Sequence, residues 1–144
     1  MTETIVVGHD GSEGADRALE FAVERAKTRG ASIIVAHVLE WSPYSFLTPE
    51  EIEERHARRS EELKRAETAL IAPIMERLSG TGVEASSQIK YGHVADTLCA
   101  IVADSDANHV VIGKTGDSTL ATRLFGSVAG TLVQASPVPV TIVP

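Results

Sequence analysis

Short apolar runs rich in β-branched residues recur along this chain, and helical-period segments fill the intervals between them. Residues 4–9 read Thr-Ile-Val-Val-Gly-His, 32–39 read Ser-Ile-Ile-Val-Ala-His-Val-Leu, and 108–112 and 138–143 repeat the theme. Strands that are apolar almost throughout, instead of alternating with polar residues, belong in a parallel sheet covered on both faces. Strand-helix alternation with right-handed crossovers then leaves one economical architecture, an α/β sheet with helices above and below.

The helical segments carry their own punctuation. Ala15, Ala18, Leu19, Ala22, Val23 and Ala26 recur at helical spacing, with Ser12 placed to cap the start and Gly30 to stop the end. Thr48-Pro49-Glu50-Glu51 reads as a capping box with proline in the first helical position. A long helix is expected to follow, laced by Glu51–Arg55, Glu54–Arg58 and Glu61–Arg65 pairs, with a core stripe of Leu63, Ala66, Leu70, Ile74 and Leu78. Pro73 interrupts that stripe and predicts a kink or break before the turn at Ser79-Gly80-Thr81-Gly82.

A third strand is expected over 83–90, a third helix over 94–103 on the spacing of Leu98, Ile101 and Val102, and a last helix over 127–134. Five strands in one single-domain, three-layer α/β unit spanning 1–144 is the resulting fold class. The connection from Trp41 to Thr48 is irregular enough to act as a lid.

A chain of 144 residues is large enough to bury roughly 68–70% of its unfolded surface in one core region. Lys and Arg total 13 against 20 Asp and Glu, a net charge of −7 that repels polyanions, so nucleic acid is not an expected partner. Cys99 stands alone, which excludes an intrachain disulfide and thiol-pair metal sites, and it reads as a small apolar residue of the third helix. His37, His56, His93 and His109 show no metal spacing. With no leader-like or bilayer-length apolar stretch, the expected setting is the cytoplasm and not a membrane.

After the fourth strand the chain runs Ile112-Gly113-Lys114-Thr115-Gly116, then nine residues, then Gly126-Ser127 and the last helix. Glycines let backbone amides approach an anion, and a helix start adds N–H groups and the positive end of a dipole. A loop at the C-terminal end of a central strand lies where open α/β sheets bind ligands, in the crevice where strand order reverses. Asp10 ends the first strand. If strands one and four are neighbours there, Asp10 faces the same crevice and can hold a ribose hydroxyl or a phosphate-bound magnesium. A P-loop is rejected, since the glycine it needs is replaced by Asn108.

Gly113, Gly116, Gly126 and Ser127 match the Gly-x-x-Gly, nine residues, Gly-Ser pattern of nucleotide-binding universal stress proteins, and the chain resembles that family. Asp10-Gly11-Ser12 before an alanine-rich helix, and Pro137-Val138-Pro139-Val140 near the end, extend the resemblance over nearly the whole chain. It implies a Rossmann-like sheet of order 3-2-1-4-5, akin to the adenine nucleotide alpha hydrolases. It also implies an ATP site with magnesium or manganese: Gly8, His9 and Asp10 at the first strand's end, Asp10 on the ribose or metal, and Val38 near adenine. Ile112, Gly113, Lys114, Gly116, Arg123, Gly126, Ser127, Val128 and Ala129 would line the phosphate side. A homodimer through the strand Val138 to Val143 is implied as well.

Two residues depart from the pattern. His9 stands where family members usually carry a small or aliphatic residue, and it reads either as a residue that tunes the pocket or contacts a phosphate, or as a satisfied polar group at a strand end. Asp117 sets a carboxylate beside the expected phosphates, to be offset by Lys114 or Arg123, turned to solvent, or placed on the metal. The resulting expectation is a nucleotide-dependent stress or regulatory protein in which any hydrolysis is slow, because no base is placed to activate water. The alternatives are an adenylyl or phosphoryl transfer enzyme and a structural dimer without nucleotide.

Overall fold

The computed structural model describes residues 3–40, 48–114 and 128–144. Strand β1 (Thr4–Gly8) leads into helix α1 (Glu13–Arg29), and β2 (Ser32–Glu40) leads into α2 (Pro49–Arg65). A π-helical turn (Ala66–Ile71) joins α2 to α3 (Ala72–Ser79), after which come β3 (Ala85–Gly92), α4 (Val94–Ser105) and β4 (His109–Gly113). A fifth helix, α5, is described over 128–135, and β5 (Val140–Val143) completes the sheet.

The strands pair in the order β3-β2-β1-β4-β5, all parallel, as the resemblance implied. Alternate residues of each inner strand face opposite cores. Ile5, Val7, Ile33, Val35 and Val111 pack under α1 and α3, whereas Val6, Ile34, Ala36, Val110 and Ile112 pack under α4 and α5. Period-two alternation is therefore present but hidden, because both faces demand apolar residues.

Helix ends follow the expected chemistry. Ser12 accepts from the Ala15 amide at 3.1 Å, Gly30 closes α1 at φ 68°, and Thr48 accepts from Glu51 ahead of Pro49. Strand limits shift for local reasons. β3 starts at Ala85 and not 83, because Gly82 turns at φ 78° and the Val83 amide is taken by the Thr81 hydroxyl. β5 starts at Val140 and not 138, since Pro139 has no N–H to give the ladder and Ser136 holds Val138 in a turn.

The disruption expected at Pro73 is a π-helical turn just ahead of it, at 66–71. A proline leaves a carbonyl of the preceding turn without its donor, and a wider turn accommodates that loss. The wider turn also carries one more residue, so the buried positions run Ala66, Ile71, Ile74, Leu78, with Ile71 in the place expected for Leu70. Of the lid candidate from Trp41 to Thr48, residues 41–47 lie outside the described residues and Thr48 caps α2.

Candidate functional site

β1 and β4 lie side by side, with Val7 opposite Val111, so Gly8 and Ile112 finish together at one rim of the sheet. From there β1 turns into α1 on one face, while α5, which follows β4, packs on the other. This divergence, at the C-terminal ends of two adjacent strands, is where sheets of this kind form a ligand-binding crevice.

The turn after β1 is built by its own side chains. Gly11 adopts φ 88°, which a residue with a Cβ rarely takes. Asp10 Oδ1 accepts from the Ser12 amide at 3.0 Å and from the Ser12 hydroxyl, and that hydroxyl accepts in turn from Ala15. The carboxylate is thus oriented at the start of α1 while remaining exposed at the crevice.

His9 is buried, and its ring is turned toward Asp16 of α1. Nδ1 accepts from the Gly11 amide at 3.0 Å, which places the ring proton on Nε2, and Nε2–H donates to Asp16 Oδ1 at 2.9 Å. The same Asp16 oxygen accepts from Arg77 of α3 at 3.1 Å. Burial pushes the His9 ring below the ordinary histidine range and outweighs the Asp16 bond, which favours the charged ring. Desolvation alone would raise Asp16, but the hydrogen bonds from His9 and Arg77 prevail and hold it below the usual carboxylate range. On the neighbouring strand His37 donates from Nδ1 to the His9 carbonyl at 2.7 Å.

Gly113 closes β4 against the first turn of α1. A methyl group placed on it would lie 2.5 Å from the Gly14 carbonyl oxygen and 2.6 Å from its carbon. This is a backbone-on-backbone approach, so the glycine is required by packing before any ligand is considered. The Lys114 amide donates to the Val143 carbonyl at 2.7 Å, which commits it to β5, and the Lys114 side chain is exposed. Gly116, Asp117, Arg123, Gly126 and Ser127 lie outside the described residues.

The wall of the crevice on the α4/α5 face is apolar. Ile112 and Ala129 are buried in that core, with Val38 and Val128 packed half-buried against it. A Cβ on Gly8 would meet Ile112 Cγ2 and Leu98 Cδ1 at 3.2 Å, so the small residue keeps this wall close to the sheet. The expected residues Gly8, Asp10, Ile112 and Gly113 are thereby brought to one rim, with Val38 reaching it from β2. Sequence reading missed Gly14, Asp16 and Arg77. The small Gly14 and an acid in a helix's first turn were the available signals, but neither says which distant residue it meets.

A model of the universal stress protein family matches residues 1–144. The chain is 30% identical over 144 residues to the universal stress protein in the QAH/OAS sulfhydrylase 3′ region of Thermus aquaticus, covering 99% of each. It is also 30% identical over 155 residues to a universal stress protein of Mycobacterium tuberculosis, of which it spans 47%, about half the length. Among solved structures it is similar to UspA from Lactobacillus plantarum, at TM-score 0.83 and 22% identity over 99% of this chain and 97% of that one. It is similar too to the Archaeoglobus fulgidus universal stress protein in complex with dAMP, at TM-score 0.62 and 25% identity over 100% and 98% of the two chains.

Proposed function

The chain belongs to the universal stress protein family, and from that membership we propose that it binds an adenine nucleotide, ATP with magnesium or manganese, across the crevice between β1 and β4. The observation that carries this reading is an oriented, exposed Asp10 just past the end of β1, the strand that pairs with β4, on the same rim as apolar Val38, Ile112 and Val128. The dAMP complex of the Archaeoglobus fulgidus relative supports an adenine nucleotide as the ligand class.

In this reading adenine lies against Val38 and its neighbours, and Asp10 holds the ribose or the metal. The amides of Gly11, Ser12 and Lys114 are already engaged within the protein. The phosphates are therefore assigned to Gly116, Gly126 and Ser127 and to the start of α5 at Val128 and Ala129, with Lys114 and Arg123 as the nearby cations. A bound metal would supply charge neutralisation for the phosphates. Both His9 nitrogens are committed elsewhere, so we assign the ring no phosphate contact and expect hydrolysis to be slow.

Protein purified from cells and denatured should release adenine nucleotide, identified by absorbance and mass spectrometry. Gly116→Trp should weaken ATP binding by more than about tenfold, because a side chain fills the phosphate approach, and should leave thermal unfolding unchanged. Nucleotide-free protein that also fails to take up ATP, ADP, AMP or cyclic nucleotides in a thermal-shift assay would refute the reading.

We further read the chain as one domain that pairs with a second copy through β5. This edge strand is half-buried along its whole length in the single chain and has β4 as its described partner. Light scattering at micromolar concentration should give twice the chain's mass; the mass of one chain rules the pairing out. No helix among the described residues is long and apolar enough to cross a membrane. The cytoplasm is the proposed location, and nucleic acid is not proposed as a partner given the net charge of −7.

A further inference from the structure

We propose that His9 is a positioning residue for the nucleotide site: its Nδ1 holds the Asp10–Gly11–Ser12 turn through the Gly11 amide, while its Nε2, through Asp16, ties the strand end to α1 and α3 and contributes stability. The inference rests on reading the crevice as a nucleotide site, and it assigns the turn's shape to a side chain that itself touches no ligand.

Three observations converge on it. Gly11 is held at φ 88°, and the bond from its amide to His9 Nδ1 fixes that amide at 3.0 Å. An Nδ1 that accepts leaves the proton on Nε2, and Nε2 is aimed at Asp16, seven residues along on a different element. Asp16 Oδ1 is shared with Arg77, so the ring joins strand, helix and the α3 segment in one chain of hydrogen bonds. Asp10 lies between the two ends of this clamp. Its carboxylate direction depends on the Ser12 amide, and the position of that amide depends on the turn at Gly11.

A merely satisfied polar group would behave differently from a clamp, and the two ring nitrogens can be tested separately. In His9→Asn the side-chain oxygen falls where Nδ1 was and can still accept from Gly11. In His9→Gln the amide falls where Nε2 was and can still reach Asp16. His9→Leu can do neither.

The readouts are ATP–magnesium affinity by calorimetry, thermal midpoint, and the Gly11 amide signal in a proton–nitrogen spectrum. Relative to wild type, His9→Leu and His9→Gln should lose about tenfold or more in affinity, the scale of one misplaced charge-assisted hydrogen bond. His9→Asn should rescue most of that loss and retain the Gly11 signal, even where its thermal midpoint falls with the others.

Binding by His9→Leu or His9→Gln equal to wild type overturns the inference, as does affinity that tracks thermal midpoint across all three variants. Should His9→Leu fail to fold, the wild-type ring decides. Nitrogen shifts must report a neutral ring protonated at Nε2 both with and without ATP, and a proton on Nδ1 overturns the clamp. Wild type that binds no adenine nucleotide sinks the nucleotide reading itself, whereas wild type that binds alongside an unimpaired His9→Leu sinks this inference alone.

Discussion

Replacing Gly113 by alanine is expected to destabilise the protein by about 3 kcal/mol or more, at or beyond the upper end of the range for overpacked sites. The added carbon would lie 2.5 Å from the Gly14 carbonyl oxygen, and that obstacle is backbone in the first turn of a helix, which cannot rotate aside as a side chain can. Relief requires α1 to move off β4, and α1 carries Ala18, Leu19, Ala22 and Val23 into the first core. Urea denaturation followed by circular dichroism measures the loss. Gly130→Ala serves as the control, since a carbon added there would meet nothing within 4 Å. In a helix that change should stabilise by roughly 0.5–1 kcal/mol. A Gly113→Ala protein as stable as wild type would mean that the glycine answers to ligand approach and not to packing.

Ile71→Ala should cost about 2–5 kcal/mol, the range for removing most of a fully packed aliphatic side chain. Ile71 is 5% exposed and belongs to the first core, together with Ile74 and Leu78. Leu70→Ala should cost distinctly less, because Leu70 is only partly buried at the edge of that core. Chemical denaturation of the two variants side by side checks the ordering. Equal losses, or a larger loss at Leu70, would show that the helix keeps ordinary periodicity through this segment, with no π-helical turn.

The same pair of residues shows where the chain could be read and where it could not. Unbroken apolar runs announced a parallel sheet, and Ser12, Gly30 and Thr48 marked helix ends that the structure reproduces. Pro73 announced a disturbance. Its form stayed hidden because a proline says that a donor is missing, and not whether the chain kinks, breaks or inserts a residue. Spacing of four then pointed to Leu70, and one extra residue in the turn moved the burial to Ile71.

The site divides in the same way. Asp10 and Gly113 could be singled out because strand ends and glycine spacing are local signals, and the strand order sets the ends of their two strands side by side. The contact of Gly113 with Gly14 and the His9–Asp16–Arg77 chain could not, since each joins elements whose mutual distance no local pattern encodes. His9 illustrates the cost of that gap. Its residue type permits a ligand contact or a satisfied strand end, and only the partners of its two nitrogens separate these.

Helix α2 has no buried residue along its 17 positions. Tyr91 of the edge strand tethers it, donating its hydroxyl to the Arg59 carbonyl beneath the Arg59 guanidinium. Because neither core draws a side chain from this arm, its charge pattern can be rewritten while the sheet below keeps its register. The molecule thus separates a part that must stay as it is to fold from a part at liberty to diversify.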